Sequence, residues 1–215
     1  VLQSGFSVSG QRNRKKRMKI LVINPGSTST KLAVYNDLEP AWRESLFHSA
    51  EELSGFHHVN EQYAFRRDHI MEALRVANIP MEFDAIIARG GLLKPTPGGV
   101  YRIDEHIKHD LWNADMEHVS NLAAIIADEL AASIGCPAFI ADPVVTDELR
   151  DVARLTGIPE IERISIFHAL NSRAVSRKYA AREGRRYEDM NLIVAHLGGG
   201  ISVSAHQRGK VVDVN

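Results

Sequence analysis

The chain has 215 residues, 26 Lys and Arg against 27 Asp and Glu, and 44% hydrophobic residues, a globular composition that excludes disordered, collagenous and fibrous classes. Its single cysteine, Cys136, excludes an internal disulfide and a cysteine-based metal site and fits a reducing, cytoplasmic compartment. Residues 1–17 hold five basic residues and no acid, so residues 18–215 carry 21 basic against 27 acidic residues, a net charge of −6. That balance argues against a nucleic-acid partner, and no apolar run approaches the roughly 20 residues that span a bilayer, so no membrane partner is expected.

Residues 1–17 are expected to be an expression tag or linker. Val1 to Phe6 and the basic run Arg14-Lys-Lys-Arg17 have neither helical nor strand periodicity and no apolar signal region. Leu2-Gln-Ser-Gly5 resembles a chymotrypsin-like cysteine-protease cleavage sequence, and Met18 reads as the natural start. The basic run alternatively reads as a nuclear-localisation or polyanion patch.

From Met18 an apolar β-branched run, a small-residue turn at 25–31 and an alternating run predict two strands joined by a tight loop. A third strand is expected over 42–49. A helix is expected over 59–78, from Tyr63, Ile70, Met71, Leu74 and Ala77, with the Met and aromatic positions of 59–83 read as core. Residues 84–89 form a short buried strand running into Gly90-Gly91, and Gly98-Gly99 turns into another. Asp104 caps one helix, a second spans 117–134 and stops at Gly135 and Pro137, and a strand over 137–141 ends at Asp142-Pro143. A further helix covers 168–183, with basic residues toward its C-terminal end. The strands 190–195, 201–205 and 210–214 close the chain, with a turn at Arg208-Gly209.

Strand, small-residue turn, strand therefore occurs twice, around Asn24–Lys31 and around His196–Ile201. Two such turns suit a two-lobed phosphate clamp, because each presents backbone N–H groups with no side chain in the way. We expect one domain over 18–188 and the start of a second over 189–215, the chain ending before the helix that would cover it.

Asn24-Pro-Gly-Ser-Thr-Ser-Thr-Lys31 sets Ser27, Ser29 and Lys31 on alternate positions with Asn24 at the mouth of the turn. Hydroxyl donors with one cation suit a phosphoryl group, although the same pattern serves as a plain hairpin. Neither a Walker A motif nor a Gly-x-Gly-x-x-Gly is present. Arg89 ends a strand, where open α/β sheets hold ligands, and can fork onto a carboxylate or phosphate. Asp142 also ends a strand and reads as a carboxylate orienting a nucleophile or a magnesium-bound water, or as a helix cap. His168 at a helix start and His196 before three glycines read as catalytic or as satisfied structural groups. His57-His58 and His106/His109 are weak candidates for zinc.

In order and separation, Asn24, Gly26, Ser27, Ser29 and Lys31, then Arg89–Gly91, Asp142, Phe167-His168 and His196-Leu-Gly-Gly-Gly200, resemble the acetate kinase family. This family of short-chain carboxylate kinases belongs to the sugar kinase, heat-shock protein and actin superfamily. Gly-Leu-Leu-Lys-Pro after Gly90, Ala-Asp-Pro-Val-Val-Thr-Asp-Glu around Asp142, and Gly199 resemble its butyrate kinase branch.

The resemblance implies an actin-like α/β fold of the ribonuclease H type, and ATP-dependent, magnesium-dependent phosphorylation of a short-chain fatty acid to an acyl phosphate, with release of ADP. It implies Asn24 and Asp142 at the metal, Ser27, Ser29 and Lys31 on phosphate, and Arg89 on the carboxylate or the transferring phosphoryl group. It further implies His168 stabilising the transition state, and His196, Gly198, Gly199 and Gly200 on the nucleotide phosphates. A second arginine, a metal-side glutamate and the adenosine pocket are expected after Asn215, so the 215-residue chain is expected to be nearly inactive, and the full-length protein a homo-oligomer. An acetate or propionate kinase of the same family, a non-catalytic ATP-binding module and a structural fragment are the alternatives.

Overall fold

A computed structural model describes residues 17–198 and 200–215. The readings of Arg12, Arg14, Lys15 and Lys16, and of Gly199, therefore lie outside the described residues.

The chain opens as a meander of β1 (Lys19–Gly26), β2 (Ser29–Asn36) and β3 (Glu39–Phe47). β3 starts three residues before the expected strand, because the turn at Asp37-Leu38 is only two residues long and Asn36 pairs directly with Glu39. Asp37 takes a left-handed φ of 55° there, and its N–H bonds the Met18 carbonyl at 2.8 Å. Next comes a short helix absent from the sequence reading, α1 (Ala50–Ser54), whose cap Ser49 and third residue Glu52 form a reciprocal capping box.

α2 (Tyr63–Val76) buries Arg66, Ile70 and Leu74, a stripe at spacing four. Met71 lies off that stripe and is 38% exposed, which corrects its reading as core. β4 (Ala85–Arg89) and β5 (Val100–Arg102) follow, then α3 (Glu105–Trp112), with Asp104 accepting the Ile107 N–H at 2.9 Å as expected. α4 (Ser120–Ile134) begins three residues later than expected and stops at Gly135, whose φ of 75° only glycine adopts freely. β6 (Ala138–Ala141) completes a six-stranded sheet in the order β3-β2-β1-β4-β6-β5, with β1, β4 and β6 parallel at its centre.

One face of this sheet is dry. Leu21, Ile23, Ile86, Ala88 and Ile140 pack against Leu122, Ile126 and Leu130 of α4 and Ile70 and Leu74 of α2. Each fully buried Leu or Ile there contributes about 1.5–3 kcal/mol over an exposed one, and the alanines of α4 let the helix lie close. The alternate residues of β1 and β2, Asn24, Ser29 and Lys31 among them, consequently point to the other face.

Residues 143–167 are largely irregular and lead into α5 (Ala169–Arg182). A separate antiparallel sheet, β7 (Asn191–Leu197), β8 (Ile201–Gln207) and β9 (Lys210–Val214), follows in the order β7-β8-β9. Arg208 and Gly209 both have positive φ in the β8–β9 turn, which matches the twist of a two-residue hairpin. Leu149, Phe167 and Ala169 pack on Val211 and Val214, joining the irregular segment to this sheet.

Candidate active site

Strand register brings three predicted residues into one transverse row. Lys31 pairs with Asn24 across β1 and β2. Ile23 pairs with Ala88 across β1 and β4, so Asn24 and Arg89 follow side by side. Arg89 pairs with Ala141, the residue before Asp142. The row Lys31, Asn24, Arg89 lies on the face away from the hydrophobic core, at the C-terminal ends of the parallel strands, where open sheets keep their ligands.

The turn that carries Ser27 is anchored from behind by Arg66, which the sequence reading missed. Arg66 is fully buried and donates from Nη1 to the Gly26 carbonyl and to Thr30 Oγ1, both at 3.1 Å, and from Nη2 to the Ser27 carbonyl at 3.0 Å. Its Nε bonds Gln62 Oε1 at 2.9 Å. Burial lowers its pKa to about 10, so it stays charged at neutral pH. The only hint in the sequence is an arginine where the Ile70 and Leu74 stripe calls for an apolar residue.

Arg89 is half-buried, and burial pushes its pKa down. Its guanidinium has no hydrogen-bond or ion-pair partner among the described residues. The backbone around it is tightly set. A Cβ at Gly90 would stand 2.7 Å from Pro143 Cβ, and one at Gly91 would stand 2.3 Å from Asn121 Oδ1. That same oxygen accepts the Leu92 N–H at 2.8 Å.

Two imidazoles feel the charge of Arg89. His168, at the start of α5, is held below the ordinary histidine range by burial, by His196 and by Arg89. His118, just before α4, is lowered by burial and by Arg89. Both are therefore neutral near pH 7. His118 Nδ1 accepts the Ser120 N–H at 3.1 Å and lies 2.6 Å from Ser120 Oγ, which leaves its ring proton on Nε2 as a donor. His118 was also missed by the sequence reading, where it looks like one residue of a helix start.

His168 Nδ1 lies 2.7 Å from Ser202 Oγ, and its ring stacks on that of His196 at 3.8 Å. Asn171 Nδ2 lies 2.9 Å from His196 Nδ1. A Cβ at Gly200 would stand 3.1 Å from His168 Cε1, so a glycine there lets the second turn lie against the ring. The structure thus gathers Arg89, His118, His168, His196 and Gly200, while Ser27 and Lys31 stand exposed at the first turn.

Asp142 sits apart in its chemistry. It is buried, has a left-handed φ of 37°, and faces two arginines, Arg173 Nε at 3.0 Å from Oδ1 and Arg177 Nη1 at 3.2 Å from Oδ2. The Arg173 contact lacks hydrogen-bonding geometry and is purely electrostatic. Both carboxylate oxygens are committed to cations, which also repel a metal ion. Asn24 keeps an amide oxygen, but among the described residues no group of three or more His, Cys, Asp or Glu could hold a metal. Asn24 and Asp142 do not by themselves complete a magnesium site. The same holds for zinc at His106 and His109.

A cavity of about 470 Å³ opens beside the loop after Gly91, lined by Leu92, Leu93, Pro95, Met116, Val145 and Ile166 among others. Arg89, His118 and His168 do not line it. No helix among the described residues is long and apolar enough to cross a membrane.

Residues 160–215 match the model of the acetokinase family. Over 198 residues the chain is 68% identical to the "Probable butyrate kinase" of Phocaeicola vulgatus, covering 92% of this chain and 56% of that protein. It is 50% identical over 201 residues to "Butyrate kinase 2" of Clostridium acetobutylicum, covering 93% and 56%. Residues 160–215 thus match the acetokinase family, and the chain spans about half the length of the curated relatives it matches. Among solved structures, the acetate kinase of Porphyromonas gingivalis superposes with a TM-score of 0.65 at 20% identity, over 92% of this chain and 57% of that one. A propionate kinase of Francisella tularensis gives 0.60 at 18%, over 92% and 56%. At such identities the likeness shows the fold, which is the actin-like one expected.

Proposed function

We propose that this chain is part of an ATP-dependent kinase that phosphorylates butyrate, or a branched C4 to C5 acid, to an acyl phosphate. The observation that carries the reading is Arg89: a half-buried guanidinium at the end of a parallel strand, unpartnered among the described residues, whose charge reaches two neutral histidines. Such a group calls for an anion. The relatives named as butyrate kinases support the C4 substrate over the acetate or propionate of the structural neighbours.

In this reading a carboxylate oxygen attacks the γ-phosphorus of ATP, the bond to the β–γ bridging oxygen breaks, and ADP leaves. The transition state is loose, so alignment and charge neutralisation do the catalysis. Arg89 holds the carboxylate or the transferring phosphoryl group. His168, pinned through Nδ1, and His118, with its proton on Nε2, donate to the phosphoryl oxygens. Ser27, Ser29, Lys31 and the N–H groups of the first turn hold phosphate, with Asn24 beside them. His196, Gly198 and Gly200 hold the nucleotide phosphates from the second turn. Asp142 acts indirectly, by fixing α5 and hence His168. The β7–β9 sheet is read as the opening of a second domain beginning near residue 189.

The test is Arg89→Ala in a chain spanning the relatives' full length. A loss of about 100-fold or more in kcat/KM for the acid is expected, with no shift in the unfolding midpoint. An unchanged rate removes Arg89 from the site.

A further inference from the structure

Arg66 is a fully buried cation with no carboxylate partner among the described residues. Its neighbours are Gln62, Thr30 and the carbonyls of Gly26 and Ser27. His48, within reach of its charge, is neutral: burial and then Arg66 lower its pKa, and its Nε2 bonds Thr30 Oγ1 at 2.9 Å. No acid offsets the guanidinium among the described residues. An isolated buried charge is costly, and this one sits directly beneath the first turn.

The bonds Arg66 makes fix the two peptide planes of that turn. In a trans peptide the carbonyl and the following N–H point in opposite directions. With the Gly26 and Ser27 carbonyls drawn inward onto Nη1 and Nη2, the N–H groups of Ser27 and Thr28 point outward. Ser27 and Thr28 are exposed, and neither N–H has a protein acceptor among the described residues. Two adjacent outward amides backed by a cation make an anion-binding nest.

We propose that Arg66 is the positioning residue of the first phosphate turn: it orients the Ser27 and Thr28 amides toward the phosphoryl group, and its buried charge is offset by that anion. The inference rests on reading this turn as a phosphate site.

The experiment is a pyrophosphate titration of this chain, with the Ser27 and Thr28 amides followed by 15N NMR. The unaltered chain is expected to shift both amides at millimolar pyrophosphate. Arg66→Gln, which keeps one donor but neither the fork nor the charge, is expected to bind about tenfold more weakly or worse, with its other resonances in place. Arg66→Lys, which keeps the charge, is expected to recover part of the loss, a rescue that a purely structural role does not give.

No amide shift in the unaltered chain, an Arg66→Gln variant that binds as tightly as the unaltered chain, or a Lys variant no tighter than the Gln variant overturns the proposal. Should Arg66→Gln fail to fold, Arg66→Lys alone is compared with the unaltered chain, weaker binding being expected and equal binding overturning it. Pyrophosphate binding needs no turnover. A chain that binds it through these amides, yet whose full-length form phosphorylates no acid, defeats the kinase reading and leaves the role of Arg66 standing.

Discussion

The rings of His168 and His196 are stacked, with centroids 3.8 Å apart and ring planes 9° from parallel. One comes from the start of α5 and the other from β7, so the stack ties the second turn to the strand ends that carry Arg89. Two protonated rings at that separation repel, and His168 is lowered partly by His196. His168 is thus neutral near pH 7 and fixed in orientation by Ser202 and His196. Under the proposed reaction, His168→Ala in a chain of the relatives' full length is expected to lower kcat about 100- to 1,000-fold, as for loss of one donor to a transition-state oxyanion. Steady-state kinetics at neutral pH checks this, and a change within twofold contradicts it.

Gly91 faces the first turn of α4, where a Cβ would stand 2.7 Å from Asn121 Cα and 2.9 Å from its N. Backbone cannot step aside as the end of a side chain can. Gly91→Ala is expected to destabilise the fold by about 1–3 kcal/mol, read from the denaturant midpoint at constant slope.

Glu148 joins three segments. Its Oε2 accepts from Arg173 Nη1 at 2.9 Å and from the Val211 N–H at 2.8 Å, and its Oε1 accepts the Gly98 N–H at 3.2 Å. Glu148→Ala leaves two amides without their acceptor and Arg173 with Asp142 as its remaining carboxylate. Loss of these charge-assisted bonds is expected to cost about 1–3 kcal/mol, again by chemical denaturation, with the β7–β9 amides losing exchange protection first.

His206 is buried between α5 and the second sheet, with Tyr187 Oη 2.6 Å from Nδ1 and Ser204 Oγ 2.8 Å from Nε2. Burial first, and then the charge of Arg173, lower its pKa from 6.5 to about 4, with Glu148 opposing. The unfolded chain therefore binds the proton first as pH falls. The stabilisation is complete above about 6.5 and is lost progressively toward pH 4, amounting to roughly 3 kcal/mol over that window. His206→Gln is expected to flatten the stability profile between those pH values, and an unaltered profile contradicts the assignment.

Much of this was legible in the sequence. Strand alternation from Lys19 to Asn36, the Asp104 cap, the Gly135 stop and the Arg208-Gly209 turn are local signals, and local physics sets them. Arg66 and His118 were not legible as site residues, because their roles depend on which backbone lies opposite them in the fold. An arginine in an apolar stripe signals only that something polar must be nearby. The two arginines facing Asp142 were equally hidden, since they come from a helix far along the chain. Met71 misled because it adjoins the stripe without belonging to it.

Trapping acyl phosphate with hydroxylamine, from ATP and a series of C2 to C5 acids with a chain of the relatives' full length, decides whether the protein is a carboxylate kinase. Product is expected to peak at C4 or C5. A folded, ATP-binding protein that yields no acyl phosphate with any acid in the series is not one.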